Sequence, residues 1–200
     1  PYRVKSFQQL GNIALEREDF SEALRYYASI SGQSRSPLEE AEVAVGMMVS
    51  HFFVKDYPQA LTAATQLLAQ DELVPGSVAK ALSLKGKSHR FLGQNSDAED
   101  SFGLLIQEYT TEEAAEALYL LALQYQEKGD FKVSNELIFD YSSPFSEFDY
   151  WYGTMFLLLA DNYLKLGEVF QAKATLQSVI DQSTDATVKE KAVATLKSLD

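Results

Sequence analysis

Residues 19–23, with the sequence DFSEA, form a segment that returns four more times along this chain of 200 residues. The later copies are DYPQA at 56–60, QNSDA at 94–98, DFKVS at 130–134 and EVFQA at 168–172. Each copy closes on a small residue, and successive small residues lie 36 to 38 positions apart. A period of this size is typical of tandem arrays, because each unit buries its apolar face against its neighbours.

Apolar columns on either side of these segments predict the structure of one unit. The position four residues after the closing small residue holds Tyr27, Ala64, Phe102, Ile138 and Leu176, and the position seven residues after it holds Ile30, Leu67, Leu105, Tyr141 and Val179. The position twelve residues before the closing small residue holds mostly small side chains, at Gly11, Met48, Gly86, Ala122 and Ala160. Spacings of three and four residues mark one face of an α-helix. Each unit is therefore predicted to be two antiparallel helices joined by a tight turn.

Turn and capping residues support this division into helices. Gly93, Gly129 and Gly167 stand where three of the first helices should end, in the position that favours a left-handed residue. Capping-box patterns begin at Ser36, which is followed by a proline, and at Thr110. Five helix hairpins follow from these signals together with the columns.

The pattern LGNIA at 10–14 followed by DFSEALRYY at 19–27, with later copies such as LLALQY at 120–125 before GDF at 129–131, resembles the tetratricopeptide repeat. The resemblance covers roughly residues 2 to 182, although the family's tryptophan and late proline are missing from these units and the period exceeds the usual value of about 34 residues. It implies an all-α fold, a right-handed superhelical α-solenoid of helix hairpins.

Hairpin boundaries follow from the repeat period. We expect residues 1–182 to form five hairpins at about 2–35, 36–72, 73–109, 110–142 and 143–182. Residues 183–200 contain a final amphipathic segment and are predicted to form a C-terminal capping helix, because a terminal hairpin would otherwise expose its packing face to water.

Composition excludes several classes of function. The formal net charge of −12 has the wrong sign for binding phosphate backbones, so nucleic acid is not an expected partner. The chain has no cysteine, which removes disulfides, thiol catalysis and cysteine-bound metals. Since no apolar run approaches the roughly 20 residues that cross a bilayer, direct membrane insertion is not expected.

The aromatic stretch at 142–156, SSPFSEFDYWYGTMF, contains six aromatic rings and the only tryptophan of the chain. Most of these rings share one helical face with Met155 and Leu159, which favours a buried stripe over a binding site. Phe145 and Tyr150 are expected at an exposed edge, where they could provide a second contact.

An enzyme is not the preferred interpretation of this sequence. His51 and His89 occupy the same column in neighbouring units, but no nucleophile, HExxH motif or phosphate-binding glycine loop accompanies them. The histidines are expected to pack in the array with a hydrogen bond to a neighbour. We therefore predict no catalytic residues, no metal site and no cofactor.

A protein-binding scaffold is the function that the resemblance implies. The first helix of each hairpin would line a concave face, and the residues expected to bind a partner there are Asn12, Phe52, Phe53, Lys80, Lys87, Arg90, Phe91 and Tyr119. Lys80, Lys87 and Arg90 share one helical face, which predicts a protein or peptide partner that carries acidic groups and apolar anchors.

Two other functions remain open at this point. One is a regulatory receptor for a small peptide or ligand, and the other is an architectural spacer within a longer repeat protein. The unusually long repeats and the final single helix also resemble envelope-associated bacterial members of the family, the outer-membrane assembly lipoprotein and the periplasmic cell-division coordinator. That resemblance favours a periplasmic or envelope-associated location over a cytoplasmic one.

Overall fold

A computed structural model describes residues 2–30, 32, 33, 36–70, 73 and 75–199, except for the side chains of residues 37, 38 and 75. All regular secondary structure in these residues is helical. The α-helices are α1 (Tyr2–Glu16), α2 (Phe20–Ala28), α3 (Pro37–Phe53), α4 (Tyr57–Leu68), α5 (Pro75–Phe91), α6 (Asn95–Glu108), α7 (Glu112–Glu127), α8 (Phe131–Tyr141), α9 (Asp149–Lys165), α10 (Val169–Gln182) and α11 (Ala186–Lys197). A short 3-10 helix, Ser143–Phe145, follows α8. The prediction of an all-α fold is confirmed.

The chain divides into two compact units, Pro1–Ser101 and Phe102–Asp200, with the boundary inside α6. In the first, called unit 1, α1 packs against α2, α2 against α3, α3 against α4, and α4 against α5. In the second, called unit 2, α7 packs on α8 and α9, and α10 packs on α9 and α11. Links of three residues join α1 to α2, α3 to α4, and α9 to α10.

Burial in the structure follows the columns that the repeat predicts. The closing small residues Ala23, Ala60, Ala98, Ser134 and Ala172 are all 1% exposed or less. The apolar residues four positions later are equally buried. Tyr141 is the exception in the next column, with 43% of its surface exposed, because α8 ends at this residue and the chain turns away into the 3-10 helix. Burial of these apolar columns is the main stabilising term in such an array.

The turns inside the hairpins require a left-handed residue, as the glycines predict. Gly93, Gly129 and Gly167 have φ values of 73°, 86° and 77°. At the corresponding turns of the first two hairpins, Glu18 and Lys55 adopt the same conformation with φ values of 60° and 65°. A residue with a Cβ atom is strained in this region by about 1–2 kcal/mol. The turns at Glu18 and Lys55 therefore carry a local strain that the glycine turns avoid.

One capping prediction is confirmed and another is wrong by one residue. Ser36 forms a complete capping box with Glu39 at the start of α3. At the start of α7 the N-cap is Thr111 rather than Thr110, and its hydroxyl accepts a hydrogen bond from the Ala114 amide at 3.3 Å. Thr111 has extended backbone angles, which place its side chain over the free amides of the first turn.

A buried tyrosine fills the space between three helices of unit 1. The ring of Tyr27 in α2 is fully buried, and its hydroxyl donates a hydrogen bond of 2.7 Å to Asn12 Oδ1 of α1. Gly11 of α1 and Gly46 of α3 both face this ring, since a Cβ atom at either position would lie 2.5 Å from a ring carbon. Burial, with a smaller contribution from the Glu42 carboxylate, raises the pKa of Tyr27 to about 12.

A polar network connects three helices of unit 2. Asn162 of α9 is fully buried, and its Nδ2 donates hydrogen bonds of 2.8 Å to Ser134 Oγ and Asn135 Oδ1 of α8. Gln126 Nε2 of α7 donates to Asn162 Oδ1 and to Asp161 Oδ2, each at 2.9 Å. The nitrogen and the oxygen of the Asn162 side-chain amide are thereby both satisfied, as burial of a polar side chain requires. The network fixes how α9 sits against α7 and α8.

The expectation of an exposed ring at Phe145 is wrong. Phe145 is 1% exposed, and it ends the 3-10 helix that packs against both α8 and α9. Because α8 has only eleven residues, the 3-10 segment continues the packing after its end and turns the phenylalanine ring inward. Tyr150, by contrast, is 41% exposed.

Candidate protein-interaction surface

Five aromatic rings in unit 1 form a continuous cluster, which we call the aromatic ladder: Phe20, Phe52, Phe53, Tyr57 and Phe91. Two pairs are stacked, Phe20 on Phe53 with centroids 4.5 Å apart and Tyr57 on Phe91 with centroids 4.7 Å apart. Phe52 connects the pairs, since its centroid lies 5.5 Å from Phe53, 5.7 Å from Tyr57 and 6.0 Å from Phe91. Such pairs each contribute about 0.5–1.5 kcal/mol beyond the burial of their area.

The aromatic ladder runs along the turns of the hairpins, because its members begin or end helices. Phe53 is the last residue of α3 and Phe91 the last of α5, while Phe20 and Tyr57 are the first residues of α2 and α4. Asp19 and Asp56 directly precede α2 and α4, and their side chains cap these helices by accepting hydrogen bonds from backbone amides at 3.1 and 3.4 Å. The caps fix the helix starts and so place both rings against the ends of the preceding helices.

Two members of the ladder remain largely open to solvent. Phe53 is 53% exposed and Phe91 is 61% exposed. Val54 and Leu92, which follow them in the chain, are 38% and 40% exposed. Contiguous apolar groups of this kind on a protein surface are typical of interaction sites, whereas isolated exposed apolar residues are ordinary.

Helix α5, which carries Phe91 at its end, is strongly basic. It contains Lys80, Lys85, Lys87 and Arg90 and no acidic residue, although Asp and Glu outnumber Lys and Arg by 29 to 17 in the chain. Lys80 is exposed, while Lys87 and Arg90 are half-buried and each interacts with another group of the chain. The helix that ends in Phe91 therefore carries four basic residues, one of which, Lys80, is exposed.

A second, smaller aromatic group lies in unit 2. The indole of Trp151 in α9 is 5.8 Å from the ring of Tyr119 in α7 and 5.0 Å from that of Tyr150, measured between centroids. Tyr119 and Trp151 are half-buried. The structure thus brings together Tyr119 and Tyr150, which the sequence had assigned to two different contacts.

Comparisons with known proteins identify the fold. A family model for the tetratricopeptide repeat matches residues 155–186. A crystal structure of MamA superposes with a TM-score of 0.70 at 16% identity, over 96% of this chain and 94% of that one. MamA from Desulfovibrio magneticus RS-1, residue 41 to the end, gives 0.69 at 18% identity, over 90% and 95% of the two chains. The C-terminal part of a TPR repeat-containing protein from Cytophaga hutchinsonii gives 0.73 at 13% identity, over 96% and 72%. The fold is the tetratricopeptide-repeat fold. No curated protein matches the sequence.

The resemblance to tetratricopeptide repeats is thereby confirmed, and so is the α-solenoid class of fold. Proteins with this fold generally serve as scaffolds for protein–protein interactions, and they generally bind proteins or peptides. Among the described residues, no helix is long and apolar enough to cross a membrane.

The remaining predicted contact residue of the repeat array, Asn12, has a structural contact of its own. Its side chain is exposed, but its Oδ1 accepts the hydrogen bond from the buried Tyr27 hydroxyl. No hydrogen bond within the described part of the chain joins Asn12 to Lys80 or to the aromatic ladder. The structure therefore brings Phe52, Phe53 and Phe91 into ring contact, whereas the contact that it shows for Asn12 is with Tyr27.

Two ladder residues, Phe20 and Tyr57, were not predicted as part of a site. The signal was available, because each follows directly after the capping aspartate in the aligned repeat segments. The aligned segments could not show that Phe20 stacks on Phe53, at the end of α3, and that Tyr57 stacks on Phe91, at the end of α5.

The expected hydrogen bond to a neighbour is present for His89, whereas the buried Nδ1 of His51 has no hydrogen-bond partner among the described residues. His89 Nδ1 lies 2.7 Å from Gln94 Oε1 and 4.0 Å from Asp97 Oδ2. His51 Nδ1 lies 3.4 Å from Asp56 Oδ2. In the ranges that the structure describes, no group of three or more metal-ligating side chains occurs.

Proposed function

We propose that this protein is a non-enzymatic scaffold that binds a segment of a partner protein along the aromatic ladder and helix α5 of unit 1. The observation that carries the proposal is the aromatic ladder itself, with Phe53 and Phe91 more than half exposed at its surface. The partner segment would present an apolar or aromatic anchor to these rings and carboxylates to the lysines of α5.

Preorganisation supports this function. The rings of the aromatic ladder already hold one another by stacking, so an incoming anchor orders few side chains on binding. Ordering one flexible side chain costs about 0.5–1.5 kcal/mol, which a preorganised surface avoids. Exposed aromatic residues are also the type that most often contributes the largest share of binding energy.

Charge complementarity supports an acidic partner. Helix α5 has four basic residues and no acidic one within a chain of net charge −12. A basic patch in an otherwise negative field attracts an acidic segment specifically to that helix and disfavours docking elsewhere.

We further propose that the helix pairs act as five repeat hairpins and that α11 is the C-terminal cap. Support comes from the pairing of α1 with α2, α3 with α4, α7 with α8 and α9 with α10, and from the packing of α11 on α9 and α10. Val188 and Ala192 of α11 are fully buried there. Tyr119 and Tyr150 would form a second contact surface around Trp151.

Selection from a random peptide library followed by fluorescence anisotropy tests the proposal. Wild-type protein is expected to enrich peptides that combine aspartate or glutamate with an aromatic residue or leucine. The double variant Phe53→Ser, Phe91→Ser should weaken binding of such a peptide at least about tenfold, since central aromatic contacts are worth about 2 kcal/mol or more. The Lys80→Glu variant should weaken it as well, and more at low than at high salt.

Matched controls come from unit 2. Phe170→Ser removes a phenylalanine that is 82% exposed but makes no ring contact with the described residues, and Lys132→Glu makes the same charge change in α8. Both controls should bind like the wild type. Equal binding by the Phe53→Ser, Phe91→Ser variant would remove the ladder as the site, and failure to select any peptide would favour an architectural spacer.

A further inference from the structure

A cleft of about 240 Å³, lined by both polar and apolar groups, lies within unit 2, and none of its lining residues belongs to the aromatic ladder or to α5. Helices α9 and α10 form its walls, and its lining includes Ser146, Asp149, Tyr152, Phe156, Ser178 and Gln182. None of the lining residues is basic. The volume is below the roughly 300–1,000 Å³ of sites for drug-sized ligands, so the cleft suits a single side chain or a small metabolite.

Among the described residues that line the cleft, Asp149 is the one that carries a charge. Its Oδ2 accepts hydrogen bonds from Thr184 N at 2.7 Å, Thr184 Oγ1 at 2.6 Å and Asp185 N at 2.8 Å. Partial burial acts to raise the pKa of Asp149, but the hydrogen bonds from Thr184, Ser183 and Asp185 outweigh it and leave the pKa below its ordinary value. The group is therefore a fixed anion at neutral pH, held by the link that joins α10 to α11.

No lysine, arginine or histidine of the described chain forms an ion pair with Asp149. A half-buried carboxylate in a cleft is stabilised by hydrogen bonds, but its charge attracts a cation that can enter from solvent.

Aromatic rings and hydroxyl groups complete the lining. The rings of Tyr152 and Phe156 contact each other with centroids 4.8 Å apart at an angle of 41°. Ser146, Ser178 and Gln182 contribute hydrogen-bond acceptors to the same space. Aromatic faces attract ammonium groups, and their edges accommodate the methylene chain that carries such a group.

We propose that this cleft binds a primary ammonium group on a short aliphatic chain. The ammonium would pair with the Asp149 carboxylate and donate its remaining hydrogen bonds to serine and glutamine oxygens, while the methylenes pack on Tyr152 and Phe156. An anion is disfavoured because Asp149 repels it and no basic side chain lines the cleft. The ligand is either a free alkylamine or a lysine side chain of a polypeptide.

Titration with small probes, followed by amide chemical shifts of Tyr152 and Gly153, tests this site. Using n-butylammonium chloride at constant pH, we expect saturable shifts with a dissociation constant in the millimolar range, as suits a ligand of this size. The isosteric neutral alcohol, 1-butanol, should give no saturable shift at the same concentrations. Equal responses to the amine and the alcohol would overturn the proposal.

Variants of the full chain separate charge in the cleft from charge elsewhere. Asp149→Asn should weaken n-butylammonium binding at least about tenfold, while Asp181→Asn, the same change on an exposed residue of α10, should leave it within about twofold. Because Asp149 also holds Thr184 and Asp185, a second variant, Ser178→Lys, places a competing ammonium in the cleft wall and should abolish binding while melting like the wild type. Wild-type affinity in either Asp149→Asn or a folded Ser178→Lys protein would refute the site.

A peptide with one internal lysine distinguishes the two sources of the ammonium. Binding at least tenfold tighter than n-butylammonium would identify a lysine side chain of a polypeptide as the ligand, and equal or weaker binding would identify a free amine. This site lies in unit 2, so the result of its test does not depend on whether the aromatic ladder binds a peptide.

Discussion

Replacing Gly46 by alanine tests the packing of Tyr27 directly. The new Cβ atom would lie 2.5 Å from the ring, about 1 Å inside the ordinary contact distance of 3.5 Å or more. The ring has little room to retreat, because the backbone of Gly11 packs on it without space even for a Cβ atom and the ring hydroxyl is hydrogen-bonded to Asn12. The clash must therefore move a helix or force the ring out of its rotamer.

The magnitude follows from two opposing terms. Overpacking of a filled core costs about 1–3 kcal/mol, and the trapped ring places this site at the upper end. Alanine is better than glycine in a helix by about 1 kcal/mol. Gly46→Ala should therefore destabilise the protein by about 2 kcal/mol, which lowers the melting temperature by about 4–8 °C in a chain of this size.

Thermal and urea unfolding followed by circular dichroism measure this change, with Gly103→Ala as the matched control. Gly103 also lies inside a helix, but a Cβ atom there would meet nothing within 4 Å, so this variant should be stabilised by about 1 kcal/mol. In a Tyr27→Leu background the sign at Gly46 should reverse, and Gly46→Ala should then stabilise by helix propensity alone. Destabilisation of similar size with and without the Tyr27 ring would refute the reasoning.

Three further changes follow from the strained turn, the polar network and the buried phenol. Lys55→Gly should stabilise the protein by about 1 kcal/mol in urea unfolding, because it removes the strain of a left-handed residue that has a Cβ atom. Gly93→Ala should destabilise it by a similar amount, and equal free energies of unfolding for the two variants would contradict this. Asn162→Leu should destabilise the protein by about 3 kcal/mol, because the buried Asn135 amide and the other polar groups of the network would lose their hydrogen-bond partner. An unchanged free energy of unfolding in the same assay would show that the network contributes little. Ultraviolet difference spectra should place the ionisation of Tyr27 near pH 12. Because this folded-state pKa lies above the ordinary value of 10, the contribution of the neutral phenol to the free energy of unfolding is complete below pH 10 and is lost as the pH rises toward 12. The Tyr27→Phe variant should not show that loss.

Much of the helical architecture was predictable because it rests on local spacing. A column such as Ala23, Ala60 and Ala98 needs only the helical period to reveal its buried face, and all three residues are buried as expected. The turn glycines were equally predictable, since a left-handed residue is a property of one position. The N-cap of α7 was predicted at Thr110 and is Thr111, because the two threonines are adjacent and only their backbone angles distinguish them.

The candidate surface was predictable only in part. Phe52, Phe53 and Phe91 were assigned to a partner surface, but their stacking with Phe20 and Tyr57 depends on how successive hairpins pack. Exposure is also a tertiary quantity, because it depends on which neighbour covers a ring.

The sequence by itself determined the all-helical repeat, the positions of its turns and the columns that fill its core, because each of these follows from interactions between residues a few positions apart. Only the tertiary structure decided that Phe145 is buried, that Tyr27 fits between Gly11 and Gly46, and that the Asp149 carboxylate lines a cleft. These features join residues that are distant in the chain. Their energies depend on contacts, burial and charge in three dimensions, which a local pattern does not contain.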